Sequence, residues 1–405
     1  MKKHFLALFG ILPVIFLASC HHHDTPEPEP TPVMVDKAVV MYMPWSGGGS
    51  IYSACLKNIQ AMETAVEYRK GLGNTRLIVF IASTANRAHL IDIKYENGEC
   101  VEDTLKTYEY LRSTDYTSVN GMISLFKDIK DAANAKTYGM VVSAHGTGWL
   151  PNKSVQAALS KKKMMKRVGE FEGEILETRY FGTAVNGDAS FHTEVADFEA
   201  ALANTFKHLD FLLFDDCYMQ NIETAFILKN VTDYIVASTC EVLMIGLPYA
   251  TVGGCLFNND YAGIVNGFYD FFIDYVNPYG TLSVVKTSEL DETARIMKEI
   301  NSRKKIKQDD IQTIQELDGY GPTVFFDMGS YVRVLCDEDQ VLYNNMKAQL
   351  EKLVPYKCHT PMFYSAEDYS KTVISEYSGI TCSDPSLNEQ ASDKNKTLWW
   401  RATHE

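Results

Sequence analysis

The stretch Tyr138–Trp149, YGMVVSAHGTGW, constrains the fold more than any other part of the chain. Its apolar run Met140, Val141, Val142 breaks abruptly into Ser143-Ala144-His145-Gly146-Thr147-Gly148. A short apolar run bounded by turn residues reads as a buried strand. A histidine where such a strand ends falls at the carboxyl edge of a sheet, where open α/β folds build their sites. The two glycines let the backbone turn sharply and approach a ligand closely. The pattern recurs at His208–Phe214 (HLDFLLF), which ends in Asp215-Asp216-Cys217-Tyr218-Met219. Gln220 to Leu228 then has helical spacing, with Ile222, Ala225, Phe226 and Leu228 apolar. Cys217 therefore lies at a strand-to-helix junction, on the same edge as His145 if the strands are parallel. An imidazole and a thiol at two strand ends form a candidate nucleophile–base pair.

Around these stretches strand and helix patterns alternate, as in α/β domains with a parallel sheet. Ala38–Met43 and Arg76–Ala82 read as buried strands, with helical periodicity from Ile51 to Arg69 between them. His89–Tyr95 and Cys100–Tyr108 alternate in polarity around Asn97-Gly98, which marks an antiparallel hairpin. A helix is expected at Val119–Ala133, another at His192–Phe206, and a strand at Tyr234–Thr239 followed by a loop from Glu241 to Tyr249. Further on, helices are expected at Asn259–Val276 and Glu289–Leu317, and strands at Leu282–Val285, Thr323–Met328 and Val373–Ser378. Leu150–Ser190 breaks the rhythm with four glycines and the run KKKMMKR from Lys161 to Arg167; structureless segments this long inside a domain usually carry function. No internal repeat and no second catalytic constellation is seen in the C-terminal part.

The N-terminus has the form of a signal peptide: Lys2 and Lys3, an apolar run from Phe5 to Leu17, then Ala18-Ser19-Cys20. The run is too short for a comfortable membrane span. Leu17-Ala18-Ser19-Cys20 resembles a bacterial lipobox, which implies lipidation at Cys20 and a location in the cell envelope, on the outer membrane or surface of a Gram-negative bacterium. The acidic, Pro-rich DTPEPEPTP (Asp24–Pro32) reads as an extended tether. Residues 1–20 are thus signal peptide, 21–36 tether, 37–255 the catalytic domain, and 256–405 an α+β elaboration of that domain or a small second one. A formal net charge of -14 argues against nucleic acid or anionic lipid headgroups as partners. The nine cysteines show no CxxC spacing and no Cys/His cluster suited to zinc, so no metal is expected from them.

The chemistry follows from the residue types. A thiolate needs a positive neighbour or a helix N-terminus to exist near neutral pH, and Cys217 would gain both, from His145 and from a helix beginning near Tyr218. The imidazole also serves as the acid for a departing amine. The backbone N–H groups of Gly146 and Cys217 are the natural donors to a developing oxyanion.

SAHGTGW together with DDCYMQNIETAF resembles the clostripain family of cysteine peptidases, in the caspase–gingipain–legumain group of folds. The family pattern, a strand ending in His-Gly-x-Gly-Trp and a later one ending in Asp-x-Cys-x-Met with a Glu beyond, is matched by His145–Trp149, Asp215–Met219 and Glu223. The resemblance covers roughly Lys37 to Tyr249, and the C-terminal third more loosely, as in Lys396–His404 (KTLWWRATH). It implies a caspase-like, three-layer α/β/α sandwich with a mostly parallel central sheet and a C-terminal α+β elaboration. It implies a His145–Cys217 dyad hydrolysing protein or peptide substrates, with Asp215 lining a pocket for Arg or Lys. Glu241 is the one acidic candidate in the loop where selective members carry a second. Glu223 is read as structural, and Asp216 falls at a variable position.

Members are often processed in a loop after the catalytic histidine, and here that place holds Lys161, Lys162, Lys163, Lys166 and Arg167. Some members need calcium, although no Asp/Asn-rich loop argues for it in this chain. Two other readings stand beside the peptidase: a surface lipoprotein of this fold that binds peptides without cutting them, and a nutrient-binding lipoprotein with an aromatic pocket. The intact His/Cys pair favours the enzyme.

Overall fold

In a computed structural model of the chain, the residues described are 34–44, 50–84, 86–109, 116–151, 193–275, 279–366 and 370–405. The expected signal peptide with Cys20, residues 21–33 of the expected tether and the whole Lys161–Arg167 run lie outside the described residues. The end of the tether, placed at residue 36, is corrected, because Val35 and Asp36 already belong to the first strand.

Nine strands build one sheet, in the order β10-β8-β7-β6-β5-β1-β2-β3-β4. They are β1 (Val35–Met43), β2 (Thr75–Thr84), β3 (Arg87–Glu96), β4 (Glu99–Glu109), β5 (Ala135–Val142), β6 (Leu209–Phe214), β7 (Thr232–Ala237), β8 (Thr281–Lys286) and β10 (Tyr356–His359). The ladders joining β2, β1, β5, β6 and β7 are parallel, whereas β2–β3, β3–β4, β7–β8 and β8–β10 are antiparallel. The sheet is therefore mixed, with a parallel centre and antiparallel edges. The β3–β4 turn uses Asn97 and Gly98, both at positive φ (54° and 97°), as a tight two-residue hairpin requires.

Alternation along β1 explains the layers. Ala38, Val40 and Tyr42 enter one apolar cluster, and Val39, Met41 and Met43 enter another. Successive side chains of a strand point to opposite faces, so a strand covered on both sides reads as an unbroken apolar run. One face is covered by α1 (Ser50–Tyr68), α5 (Tyr249–Asn258) and α6 (Tyr261–Ile273), which supply Ile59, Met62, Val252, Leu256 and Phe268. The other is covered by α2 (Val119–Ala133), α3 (Val195–Thr205) and α4 (Ile222–Leu228), together with α7 (Leu290–Arg303), α8 (Met328–Cys336), α9 (Gln340–Leu353) and α10 (Leu398–His404). The result is the expected three-layer α/β/α arrangement.

Three expectations for the C-terminal part are corrected. The long helix stops at Arg303, where Lys304 turns extended (φ -126°, ψ 148°). Beyond it Ile314 packs into the main cluster while Leu317 joins Cys240, Phe363 and Ile374; one straight helix would not serve both. Strand pairing within 323–328 is confined to β9 (Phe326–Asp327), paired with β13 (Thr381–Cys382), and within 373–378 to Val373 alone, the last residue of β12 (Lys371–Val373), paired with β11 (Met362–Tyr364). Residues 34–405 form a single compact unit, and β8 and β10 extend the same sheet.

Packing at the sheet centre is tight enough to test. A Cβ at Gly139 of β5 would fall 2.1 Å from the Phe211 ring on β6. Gly139→Ala is expected to cost about 1–3 kcal/mol through overpacking, read as a lower urea midpoint with an unchanged slope.

Candidate active site

β5 and β6 are adjacent and parallel, with Val142 opposite Phe214. His145 lies three residues beyond the first (145 − 142) and Cys217 three beyond the second (217 − 214), so both side chains leave the same edge at the same level. A Cβ at Gly146 would lie 2.2 Å from the Cys217 carbonyl oxygen and 2.8 Å from its nitrogen. The loop carrying His145 is thus seated directly on the Cys217 backbone, and only glycine fits there. The two backbone segments expected to supply the oxyanion donors are in contact. His145 is 7% exposed and Cys217 fully buried.

Asp216, to which the sequence assigned nothing, fastens this contact: its carboxylate accepts from the backbone N–H of Ala144. The family pattern marks its neighbour Asp215 and leaves position 216 variable, so the motif did not point to it. Asp215 is also fully buried. It accepts from the Ser143 hydroxyl (3.5 Å), the Leu247 N–H (3.1 Å) and the Tyr249 hydroxyl (2.9 Å). Glu241 accepts from the Tyr218 hydroxyl (2.8 Å), the Ser365 hydroxyl (3.2 Å) and the Ala366 N–H (2.9 Å). Both carboxylates therefore hold loops around the thiol. Between them Val242 donates its N–H to Cys217 Sγ at 3.1 Å.

The helix expected to begin beside Cys217 starts later. Tyr218 has φ 61°, and the N–H groups of Tyr218 and Gln220 donate to Cys240 and Ser238 carbonyls (both 3.0 Å). The backbone stays paired with the segment after β7, so α4 begins at Ile222 behind its Asn221 cap. Asn221 also donates to the Tyr218 carbonyl (2.8 Å).

An apolar wall closes the other side. The Tyr218 ring stacks on Phe325 (5.5 Å, 17°) and leans on Tyr320 (5.6 Å). Gly148, at φ 63°, passes so close that a Cβ would meet the Phe325 ring at 2.7 Å. The segment bearing Phe325 is folded around Asp318, which accepts from the N–H groups of Tyr320 (2.9 Å), Val324 (2.8 Å) and Phe325. Burial pushes the Asp318 carboxyl up to about 8, outweighing those three donors, which favour the carboxylate.

The eight cysteines among the described residues are unbridged. Burial pushes the Cys240 and Cys358 thiols up to about 12 and those of Cys100 and Cys336 up to about 11, which makes them poor nucleophiles. Among the described residues no group of three or more His, Cys, Asp or Glu side chains is arranged to hold a metal ion.

With this geometry in place, the comparisons define the class. The fold matches a secreted C11 cysteine protease from Bacteroides thetaiotaomicron, "iotapain", at 40% identity with a TM-score of 0.81, covering 92% of this chain and 100% of that one. An inactive zymogen C11 protease from Parabacteroides distasonis matches at 26% identity and a TM-score of 0.74, covering 92% and 99%. A clostripain from Bacteroides thetaiotaomicron, in complex with the peptide inhibitor BTN-VLTK-AOMK, matches at 44% identity and a TM-score of 0.53, covering 56% and 99%. No curated protein matches the sequence significantly. The chain is a cysteine peptidase of caspase-like architecture. It belongs to the clostripain family, whose sequence model matches residues 178–394. That match starts after His145 and runs through the C-terminal third, where the resemblance had been expected to thin.

Two measurements test the architecture of the site. Gly146→Ala is expected to lower kcat/KM about 100-fold, because a small misplacement of a reacting group costs that much, while circular dichroism stays native. For Asp318, the folded state keeps the proton up to about pH 8, whereas an unfolded aspartate releases it near pH 4. The native state binds more protons in that window, so stability falls as pH rises through it, by at most about 1.4 kcal/mol per pH unit. Asp318→Asn should flatten this slope in denaturation curves taken between pH 5 and 8.

Proposed function

We propose that the chain is a lipid-anchored bacterial endopeptidase in which His145 and Cys217 cut peptide bonds, with preference for Arg or Lys before the scissile bond. The observation that carries the reading is the seating of the His145 loop on the Cys217 backbone through Gly146.

In this mechanism His145 takes the thiol proton and Sγ attacks the scissile carbonyl carbon. The carbonyl oxygen becomes an oxyanion that accepts from the N–H groups of Gly146 and Cys217. Collapse of the intermediate breaks the C–N bond, and His145 returns the proton to the departing amine. Water, deprotonated by the same imidazole, then hydrolyses the Cys217 thioester and regenerates the thiol.

Asp215 is the carboxylate proposed for a basic side chain, with Glu241 beyond it; a charge-assisted pairing in a desolvated pocket is strong. The Lys-terminated peptide of the inhibitor bound to a relative supports this preference. The buried thiol, with Val242 donating to it, and the zymogen relative support a precursor processed between 150 and 190, at the Lys161–Arg167 run. The lipid anchor at Cys20 rests on the lipobox, and envelope location agrees with a relative described as secreted.

The test compares the full chain with Cys217→Ala and His145→Ala on fluorogenic peptides ending in Arg, Lys, Asp or Ala, with intact mass recorded. Turnover and a cut within Lys161–Arg167 are expected of the wild type alone. Equal behaviour of wild type and Cys217→Ala would leave the non-cutting peptide binder as the better reading. Asp215→Asn is expected to lower kcat/KM on Arg and Lys peptides about 10–100-fold and to spare the Ala peptide. An equal loss on every peptide would assign Asp215 to loop structure alone. Cys20→Ser should move the protein from the membrane fraction to the soluble one.

A further inference from the structure

Behind the site, the two motif segments are joined by residues from the far C-terminus. Trp149, four residues past His145, donates its indole N–H to the Ser383 hydroxyl at 3.0 Å. That hydroxyl donates to Glu223 Oε1 at 2.9 Å, and the Ser383 N–H reaches the same oxygen at 3.1 Å. Lys394 completes the group, with Nζ 3.2 Å from Glu223 Oε1 and donating to the Ser383 carbonyl. Glu223 is fully buried and the Lys394 side chain is 8% exposed. The strand that delivers Ser383 is tied to the segment after the nucleophile, since the Thr381 N–H donates to the Gln220 carbonyl at 3.0 Å.

Each residue type has a reason. An indole N–H only donates and a carboxylate only accepts, and the Ser383 hydroxyl, which does both, accepts from one and donates to the other. A buried carboxylate is stabilised by a paired cation, and the Lys394 ammonium, which also reaches a backbone carbonyl, pairs with Glu223 at Oε1. Trp399, on α10 just after Lys394, packs edge-on against Phe226 of α4 (5.5 Å), which anchors the C-terminus against the helix carrying Glu223.

We propose that Ser383 and Lys394 are positioning residues for catalysis. They fix the far end of the His145 loop relative to the segment behind Cys217, as Gly146 and Asp216 fix its near end. The proposal rests on His145 and Cys217 being the reacting pair. Neither residue touches the reacting atoms; both act through Trp149 and Glu223.

The experiment uses the full chain as wild type, Ser383→Ala, Lys394→Met, Lys394→Met with Glu223→Gln, and Cys217→Ala. Three quantities are read: kcat and KM on Lys- and Arg-ended peptides, the pH profile of Cys217 alkylation by iodoacetamide located by peptide mass, and the melting temperature. Lys394→Met leaves a buried uncompensated carboxylate and is expected to fold poorly, so the decision rests on Ser383→Ala and the neutralised pair. Both should melt as cooperative native proteins, with kcat about tenfold lower, KM within twofold of wild type, and the alkylation midpoint displaced. Wild-type kcat and alkylation profile in both, with only the melting temperature changed, would overturn the positioning role and leave the dyad intact. Turnover by Cys217→Ala equal to wild type would overturn the dyad itself and this role with it.

Discussion

Everything around the site depends on how closely two strand-end loops approach. β5 and β6 run parallel in register, and their chains leave the sheet at the same level, so the His145 loop has to cross the Cys217 backbone. A glycine at 146 makes that crossing possible, because a Cβ would enter the space of the Cys217 carbonyl. The approach also explains why so many polar groups nearby are buried yet bonded. Loops that leave a sheet edge without regular structure carry backbone donors that must find acceptors, and Asp215, Asp216 and Glu241 supply them.

The same requirement draws the C-terminal third into the site. β8 and β10 extend the sheet beyond β7, but the more consequential contribution is made by short, irregular segments. Phe325 stacks on the ring of Tyr218, the residue following Cys217, Asp318 folds the segment that carries it, and Ser383 and Lys394 reach the buried Glu223. The family match through residue 394 agrees with this arrangement: the part of the chain that lacks a motif of its own packs behind the strand ends that carry His145 and Cys217.

What could be read from the residues followed from local physics. β1, β2, β5 and β6 were legible because strands covered on both faces are continuous apolar runs, and the β3–β4 hairpin because Asn97-Gly98 accepts positive φ. α2 runs over the residues expected of it, and the structure shows Ser118 capping its start and Asn134 its left-handed end. The start of α4 was misplaced because the donors at 218 and 220 bond to carbonyls after β7, a partner no local window contains. The helix expected to run to Leu317 failed similarly, its apolar positions being divided between two clusters.

The amino-acid sequence by itself determined the layered α/β class and the two strand ends that carry a histidine and a cysteine, since period, turn chemistry and motif are properties of short windows. Tertiary structure alone decided which carboxylate holds which loop. Asp216, to which no role was assigned, binds the His145 loop, and Glu223, read as structural, gathers Ser383 and Lys394 from 160 and 171 residues away (383 − 223 and 394 − 223). Such partners are chosen by burial, which strips water from a charged group and makes it take whichever donors the fold brings within reach.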